Sequence, residues 1–146
     1  MTPLRAGVIG VGHLGQHHAR LYAAIPGSQL AGIVDLSPDR AKVVADKLGT
    51  RVFSDIGDLL PHVDDVSVAV PTSGHHAVAR ACLSAGKHVL VEKPIAVTLA
   101  EAQELIQLAK QRGLCLQVGH SERFNPVMQV TRPYIGRPPF VGCHRL

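Results

Sequence analysis

The sequence predicts a doubly wound α/β fold, in which helices cover both faces of a parallel sheet. Short apolar runs typical of buried parallel strands alternate along the chain with segments of helical periodicity. Two of the helical segments begin after serine or threonine and end at glycine. Strands that alternate with helices build βαβ units, and consecutive units of this kind share one parallel sheet.

The first predicted strand and helix flank a glycine-rich loop. Residues 4–10, LRAGVIG, form an apolar run that ends in glycine, as a buried strand does before a tight turn. A helix over residues 13–25 follows, and residues 29–35, QLAGIVD, supply the second strand. Helical spacing predicts that the inward face of the helix carries Leu14, His18, Leu21, Tyr22 and Ile25.

The second helix has both a start and a stop signal. Ser37 is placed to cap it, Pro38 suits its first position, and Gly49 ends it. The chain then predicts a short strand at residues 51–53 and at most a short helix at residues 54–61.

Two strands, at residues 65–71 and 87–94, enclose a third long helix at residues 73–86. The fourth helix is the best defined, because Thr98 and Glu101 form a capping box. Gly113 ends this helix, and residues 114–119 give a last strand. Its predicted inward face is Leu99, Ala102, Leu105, Ile106 and Ala109.

The composition limits the class of protein. Of 146 residues, 46% are hydrophobic and 18% charged, which suits one globular domain. The net charge of +4 is spread over scattered lysines and arginines, so no nucleic-acid partner is expected. No apolar run approaches the roughly 18 residues of a membrane span, and no signal peptide is recognisable. Cys82, Cys115 and Cys143 form no CxxC pair, which favours a reduced, cytoplasmic setting.

The loop between the first strand and helix carries Gly10, Gly12 and Gly15 in the pattern G-x-G-x-x-G. In a strand–loop–helix context the first glycine allows the tight turn, the second admits a pyrophosphate and the third allows close helix–strand packing. The amides at the helix start and the helix dipole favour phosphate. Three ordinary turn glycines are the alternative.

An acidic residue supports the dinucleotide interpretation. Asp35 ends the second strand, 20 residues after Gly15, where a carboxylate accepts hydrogen bonds from the adenosine ribose. Its charge would repel a 2′-phosphate, so NAD is expected rather than NADP. Arg40, one helical turn further on, is the residue that weakens this preference.

Polar residues also follow other strands, where open α/β sheets bind ligands. Lys93, in the segment VEKP, is placed to bond a substrate hydroxyl or polarise a carbonyl, although a strand-end lysine is common. Thr72, with His75 or His76, is placed to flank a nicotinamide ribose; the alternative is that Ser73 merely caps the next helix.

The segment GHSERFNP, residues 119–126, places His, Glu, Arg and Asn within a few positions of a strand end. This density suggests substrate contacts, while a helix start capped by Ser121 is the alternative. His13 and His17 have i, i+4 spacing, but no cysteine or carboxylate joins them, so no metal site is expected.

Five segments together resemble the Gfo/Idh/MocA oxidoreductases, over residues 4 to about 130. They are the glycine loop, VDLSPDRA, VPTSGHH, VEKPIAVTLAEAQEL and VGHSERFNP. The resemblance implies an N-terminal Rossmann domain, followed by an α+β domain with a large open sheet. It also implies nicotinamide-dependent oxidation or reduction of sugars, polyols and related small molecules, with VGHSERFNP most similar to members that act on nucleotide sugars.

The resemblance assigns roles to individual residues. Lys93 matches the lysine of the family's EKP motif, which contacts substrate and the nicotinamide end, and is the expected catalytic residue. The residues expected at the cofactor are Gly10, Gly12, His13, Leu14, Gly15, Asp35, Pro71, Thr72, His75, Glu92 and Lys93. Those expected at the substrate are Lys93, His120, Arg123 and Asn125.

The family's second domain supplies a further Asp and a His that often acts as the base, whereas this sequence ends at Leu146. We therefore expect an NAD-binding domain at residues 1–120, then a linker and the first strand of a truncated domain at 121–146. Such a chain is expected to be inactive alone and to belong to a homo-oligomer when full length. The alternative function is a non-catalytic NAD-sensing or regulatory module.

Overall fold

A computed structural model describes residues 2–134 and contains one sheet of five parallel strands. The strands are β1 Leu4–Ile9, β2 Ser28–Val34, β3 Asp65–Val68, β4 His88–Val91 and β5 Leu116–Val118, in the order β2-β1-β3-β4-β5. The helices are α1 Gly15–Ala24, α2 Pro38–Leu48, α3 Ile56–Leu59, α4 Thr72–Ser84, α5 Leu99–Arg112 and α6 Pro126–Thr131. The predicted doubly wound α/β fold is therefore confirmed.

Helices lie on both faces of the sheet and bury two separate sets of side chains. Helices α1 and α2 pack on one face, around Val8, Ile33 and Val44. Helices α3, α4 and α5 pack on the other, around Leu59, Leu83 and Leu105. The chain leaves β1 toward β2 and returns to β3 on the other side of β1, so the strand order reverses between β1 and β3.

Local signals predict the helix ends well. Ser37 caps α2 through its side chain, and Thr98 and Glu101 form the capping box of α5. Gly49 and Gly113 end these helices in the left-handed conformation, at φ values of 65° and 63°. Ser73 does not cap α4, which begins one residue earlier, at Thr72, without a side-chain cap.

Other predictions needed correction. The short strand at residues 51–53 is only a single parallel bridge between Val52 and Ile33, at the outer side of β2. In α5, Leu99 and Ile106 are 75% and 55% exposed, so the buried face is narrower than predicted. In α1 the buried residues are Gly15 and Ala19. Small side chains face the sheet there, and three of the predicted inward residues are 43–51% exposed: Leu14, Leu21 and Ile25.

Residues 121–134 form α6 between two 3₁₀ turns, and none of their side chains is buried. The domain boundary at residue 120 stays a prediction, and the strand expected near the C-terminus falls outside the described residues. Cys143 lies there too. Within residues 2–134, Cys82 and Cys115 form no disulfide, and burial raises the pKa of the Cys82 thiol to about 12. No helix in this part is long and apolar enough to span a membrane.

Candidate functional site

The carboxyl ends of the five strands lie along one edge of the sheet. The residue after each of four strands donates its N–H to the end of a neighbouring strand, at N···O distances of 2.8–3.0 Å. The pairs, donor first, are Gly10 with Val34, Ala69 with Ile9, Glu92 with Val68 and Gly119 with Val91. This alignment brings the glycine loop, Asp35, Pro71–Thr72, Glu92–Lys93 and His120 to the same edge of the sheet, and the strand order reverses along this edge between β1 and β3.

The three glycines of the loop differ in what surrounds them. Gly10 has a φ of +84°, and a Cβ there would lie 2.9 Å from the carbonyl of Ala69. A Cβ on Gly15 would overlap the carbonyl oxygen of Gly10. A Cβ on Gly12 would meet nothing within 4 Å. The fold therefore requires Gly10 and Gly15, whereas Gly12 borders open space in which a ligand can approach the backbone.

Three backbone donors lie in the same loop. Within residues 2–134, the N–H groups of Gly12, His13 and Leu14 donate to no acceptor, and all three residues are at least partly exposed. They precede α1, so the positive end of the helix dipole adds to their attraction for anions. A groove of about 600 Å³ opens beside them, between α1 and α2. The loop has the donors, the space and the electrostatics that a pyrophosphate requires.

Asp35 is tied to the glycine loop. Its side chain is 3% exposed and accepts hydrogen bonds from the N–H groups of Val11, at 2.7 Å, and Ser37, at 2.8 Å. Arg40 donates to both carboxylate oxygens, at 3.2 and 2.7 Å. Burial raises the pKa of Asp35, but the hydrogen bonds from Arg40, Ser37 and Val11 outweigh it, so the pKa lies below its ordinary value. Asp35 is thus an ionised anchor of the loop, covered by Arg40.

Lys93 has an exposed side chain beside Glu92, which is only 8% exposed. Glu92 accepts the N–H of Lys93 at 3.2 Å, and its other oxygen lies 3.0 Å from Nε2 of His18. Nδ1 of the same ring lies 2.9 Å from Oγ of Ser67. Sequence reasoning assigned His18 only to the inward face of α1. The available signal was the polarity of that position, because an inward-facing imidazole needs polar partners.

The two histidines of α4 lie elsewhere than expected. His75 is 1% exposed, with Nδ1 2.7 Å from the carbonyl of Pro94 and Nε2 3.0 Å from that of Val70. Its ring therefore joins the loops after β3 and β4, in place of the expected direct contact with cofactor. His76 lies 2.9 Å from Glu104 on α5, which also pairs with Arg80, so it does not face the crevice.

The segment after β5 is exposed and only partly free to bind a substrate. His120 and Arg123 have exposed side chains. Asn125 accepts the N–H of Val127 and caps α6, while its amide donates to Glu122. This cap replaces the role considered for Ser121.

His13 and His17, the pair with i, i+4 spacing, have ring centroids 5.8 Å apart. In the part of the chain that the structure describes, no group of three or more His, Cys, Asp or Glu residues is placed to hold a metal ion.

In comparison with known proteins, the chain matches an enzyme family. The oxidoreductase family GFO_IDH_MocA, described as having an NAD-binding Rossmann fold, matches residues 4–120. UDP-N-acetylglucosamine 3-dehydrogenase of Acidithiobacillus ferrooxidans is 46% identical over 147 residues, covering 100% of this chain and 46% of that protein. The chain therefore spans about half the length of this relative.

Solved structures of similar proteins have the same fold as this chain. The structure of UDP-N-acetylglucosamine 3-dehydrogenase from A. ferrooxidans superposes with a TM-score of 0.86 at 48% identity, covering 92% of this chain and 44% of that one. Scyllo-inositol dehydrogenase from Lactobacillus casei, solved with NAD(H) and scyllo-inositol, gives 0.84 at 29% identity, covering 90% and 40%. GenD2 from gentamicin A biosynthesis, solved with NAD, gives 0.88 at 29% identity, covering 92% and 39%.

Proposed function

Because this chain belongs to the Gfo/Idh/MocA oxidoreductase family and has its NAD-binding Rossmann fold, we propose that it is the cofactor-binding part of a sugar or nucleotide-sugar dehydrogenase. In such an enzyme a hydride passes between the nicotinamide ring and the carbon of a hydroxyl or ketone. Relatives named as dehydrogenases of a nucleotide sugar and of inositols support this substrate class. They do not favour the alternative of a non-catalytic NAD-sensing module.

One observation carries the proposal: the N–H groups of Gly12, His13 and Leu14, at the start of α1, are without acceptors in residues 2–134, and a Cβ on Gly12 would meet nothing within 4 Å. We assign the cofactor's pyrophosphate to them. Asp35 would accept from the adenosine ribose as Arg40 moves aside, and Pro71 and Thr72, at the start of α4, would flank the nicotinamide ribose.

Lys93 is the residue we assign to the reacting hydroxyl. Its exposed ammonium would donate a hydrogen bond to the substrate oxygen and would stabilise the negative charge that develops as hydride leaves the adjacent carbon. His120 and Arg123 are exposed near the same sheet edge and are proposed to contact the substrate. For Asn125 we propose a substrate contact through the side-chain NH₂ group only, since its carbonyl oxygen caps α6.

Replacing Gly12 by alanine tests the cofactor assignment. We expect the variant to fold as the wild type does, because a Cβ there meets nothing within 4 Å. It should weaken NADH binding about tenfold or more, since a methyl group would hold the pyrophosphate off the loop. Calorimetric titration gives the affinity and thermal melting the stability, with Gly12→Val extending the series. Unchanged NADH affinity in both variants would contradict the pyrophosphate site.

Cofactor preference depends on Asp35 and Arg40. We expect the wild type to bind NADH more tightly than NADPH, because the Asp35 carboxylate repels a 2′-phosphate. Asp35→Asn should narrow this difference by about tenfold, because it removes the charge while keeping an acceptor for the N–H of Val11. Arg40→Ala should weaken NADPH binding more than NADH binding, since only NADPH offers a phosphate to the guanidinium. Parallel titrations with both cofactors measure these differences; a wild-type preference for NADPH would refute the role of Asp35.

A further inference from the structure

A series of hydrogen-bonded polar groups, each buried or half-buried, leads to the segment that carries Lys93. The hydroxyls of Tyr22 and Ser67 lie 3.3 Å apart, and Ser67 is 0% exposed. The His18 ring bridges Ser67 and Glu92, with its side chain 17% exposed and that of Glu92 11% exposed. These hydrogen bonds thus join α1, β3 and the end of β4, which are far apart in sequence.

The direction of each hydrogen bond follows from the chemistry of the groups. An ionised Glu92 is only an acceptor, so Nε2 of His18 must carry the proton that faces it. In the neutral ring Nδ1 is then an acceptor, and the hydroxyl of Ser67 donates to it. The hydroxyl of Tyr22 in turn donates to Ser67. The second oxygen of Glu92 accepts the N–H of Lys93, so every group in the chain has a partner.

The order Ser–His–carboxylate is also that of a hydrolytic triad, but the geometry excludes that use. Ser67 is completely buried, so no substrate carbonyl can reach its hydroxyl. The carboxylate end, by contrast, adjoins the exposed Lys93. The hydrogen-bonded side chains are therefore arranged to hold Glu92 in place.

Gly119 also lies close to the Glu92 carboxylate. A Cβ on Gly119 would lie 2.8–3.1 Å from the Glu92 carboxylate, so the absence of a side chain at Gly119 makes room for it. His18 contacts one oxygen of Glu92, Gly119 leaves room for the carboxylate, and the other oxygen accepts the N–H of Lys93.

We propose that His18 is a positioning residue for Lys93, acting through the Glu92 carboxylate. This inference rests on the proposed function only in assigning Lys93 to the reacting hydroxyl. The hydrogen-bonded chain itself exists without cofactor. Its effect on the Lys93 segment can accordingly be measured in the cofactor-free protein.

Amide hydrogen exchange in the cofactor-free 146-residue chain tests the proposal. In His18→Ala, we expect exchange at the Lys93 amide to accelerate about tenfold, because Glu92 is released. His18→Gln should restore most of the protection, since its amide N–H₂ reaches the position of Nε2. His18→Asn should not, since it reaches only the position of Nδ1, toward Ser67. His17→Ala, on the exposed side of the same helix, is the matched control.

The outcomes test the positioning role of His18 separately from the proposed place of the nicotinamide. Equal Lys93 protection in the Gln and Asn variants would overturn the positioning role, and it decides the matter even if His18→Ala does not fold. Gly119→Ala should accelerate Lys93 exchange as His18→Ala does, because the added methyl group would displace the Glu92 carboxylate. In a separate experiment, the Lys93 amide shift in saturating NADH is compared with that in saturating ADP-ribose, which lacks nicotinamide. Equal shifts would refute the proposed place of the nicotinamide and leave the exchange result intact.

Discussion

Gly15→Ala is expected to lower the free energy of unfolding by about 3 kcal/mol or more, the upper range for overpacking. The added methyl group would overlap the carbonyl oxygen of Gly10, which is backbone and cannot rotate away. Gly10 itself is held in place, because its N–H donates to the carbonyl of Val34 at 2.8 Å. To accommodate the methyl group, α1 must move away from the end of β1.

Urea unfolding followed by circular dichroism measures this loss, and Gly12→Ala is the matched control. Both substitutions add one methyl group to the same loop, but the Cβ of residue 12 meets no neighbour within 4 Å. The two variants should therefore separate the glycine that packing requires from the glycine that we assign to the cofactor. A Gly15→Ala midpoint equal to that of Gly12→Ala would show that the loop adapts freely and would contradict the packing argument.

The sequence predicts the strands and most helix ends because their signals are local. The caps at Ser37 and Thr98 and the left-handed glycines at 49 and 113 depend on neighbours within a few residues, and the structure confirms them. The glycine loop was recognisable because strand, turn and helix follow one another directly. The length of the edge strand at Val52 was overestimated, since a three-residue run does not determine how many residues pair with the neighbouring strand.

The supporting contacts of the site could not be predicted in the same way. His18 and Glu92 are 74 residues apart, and only the packing of α1 against the sheet brings them together. His75 was expected at the cofactor because it follows a strand end, but α4 turns its ring inward toward Pro94 and Val70. Periodicity identifies the side of a helix that faces the sheet. It does not identify how closely the helix approaches, which is why Gly15 and Ala19 are buried while Leu21 is exposed.

Lys93→Met should lower kcat about a hundredfold or more in the proposed full-length dehydrogenase, the scale for losing one transition-state donor. Methionine keeps much of the apolar stem and removes the ammonium. The ammonium interacts more strongly with an alkoxide-like transition state than with a neutral alcohol, so its loss raises the barrier rather than the KM. The affinity for NADH should change far less, because the pyrophosphate is assigned to the glycine loop.

Steady-state kinetics and direct NADH titration on the same variant separate these effects. Lys110→Met is the matched control, because Lys110 is an exposed lysine in the last turn of α5. If kcat held while NADH binding weakened, Lys93 would be a cofactor anchor and not a catalytic residue. Its exposed side chain, on a segment anchored through Glu92 on one side and through the Pro94 carbonyl on the other, favours the catalytic role. The Lys93 ammonium has to stabilise a negative charge that forms only in the transition state. A backbone that is already fixed holds such a donor in position before the charge develops, so the barrier is lowered more.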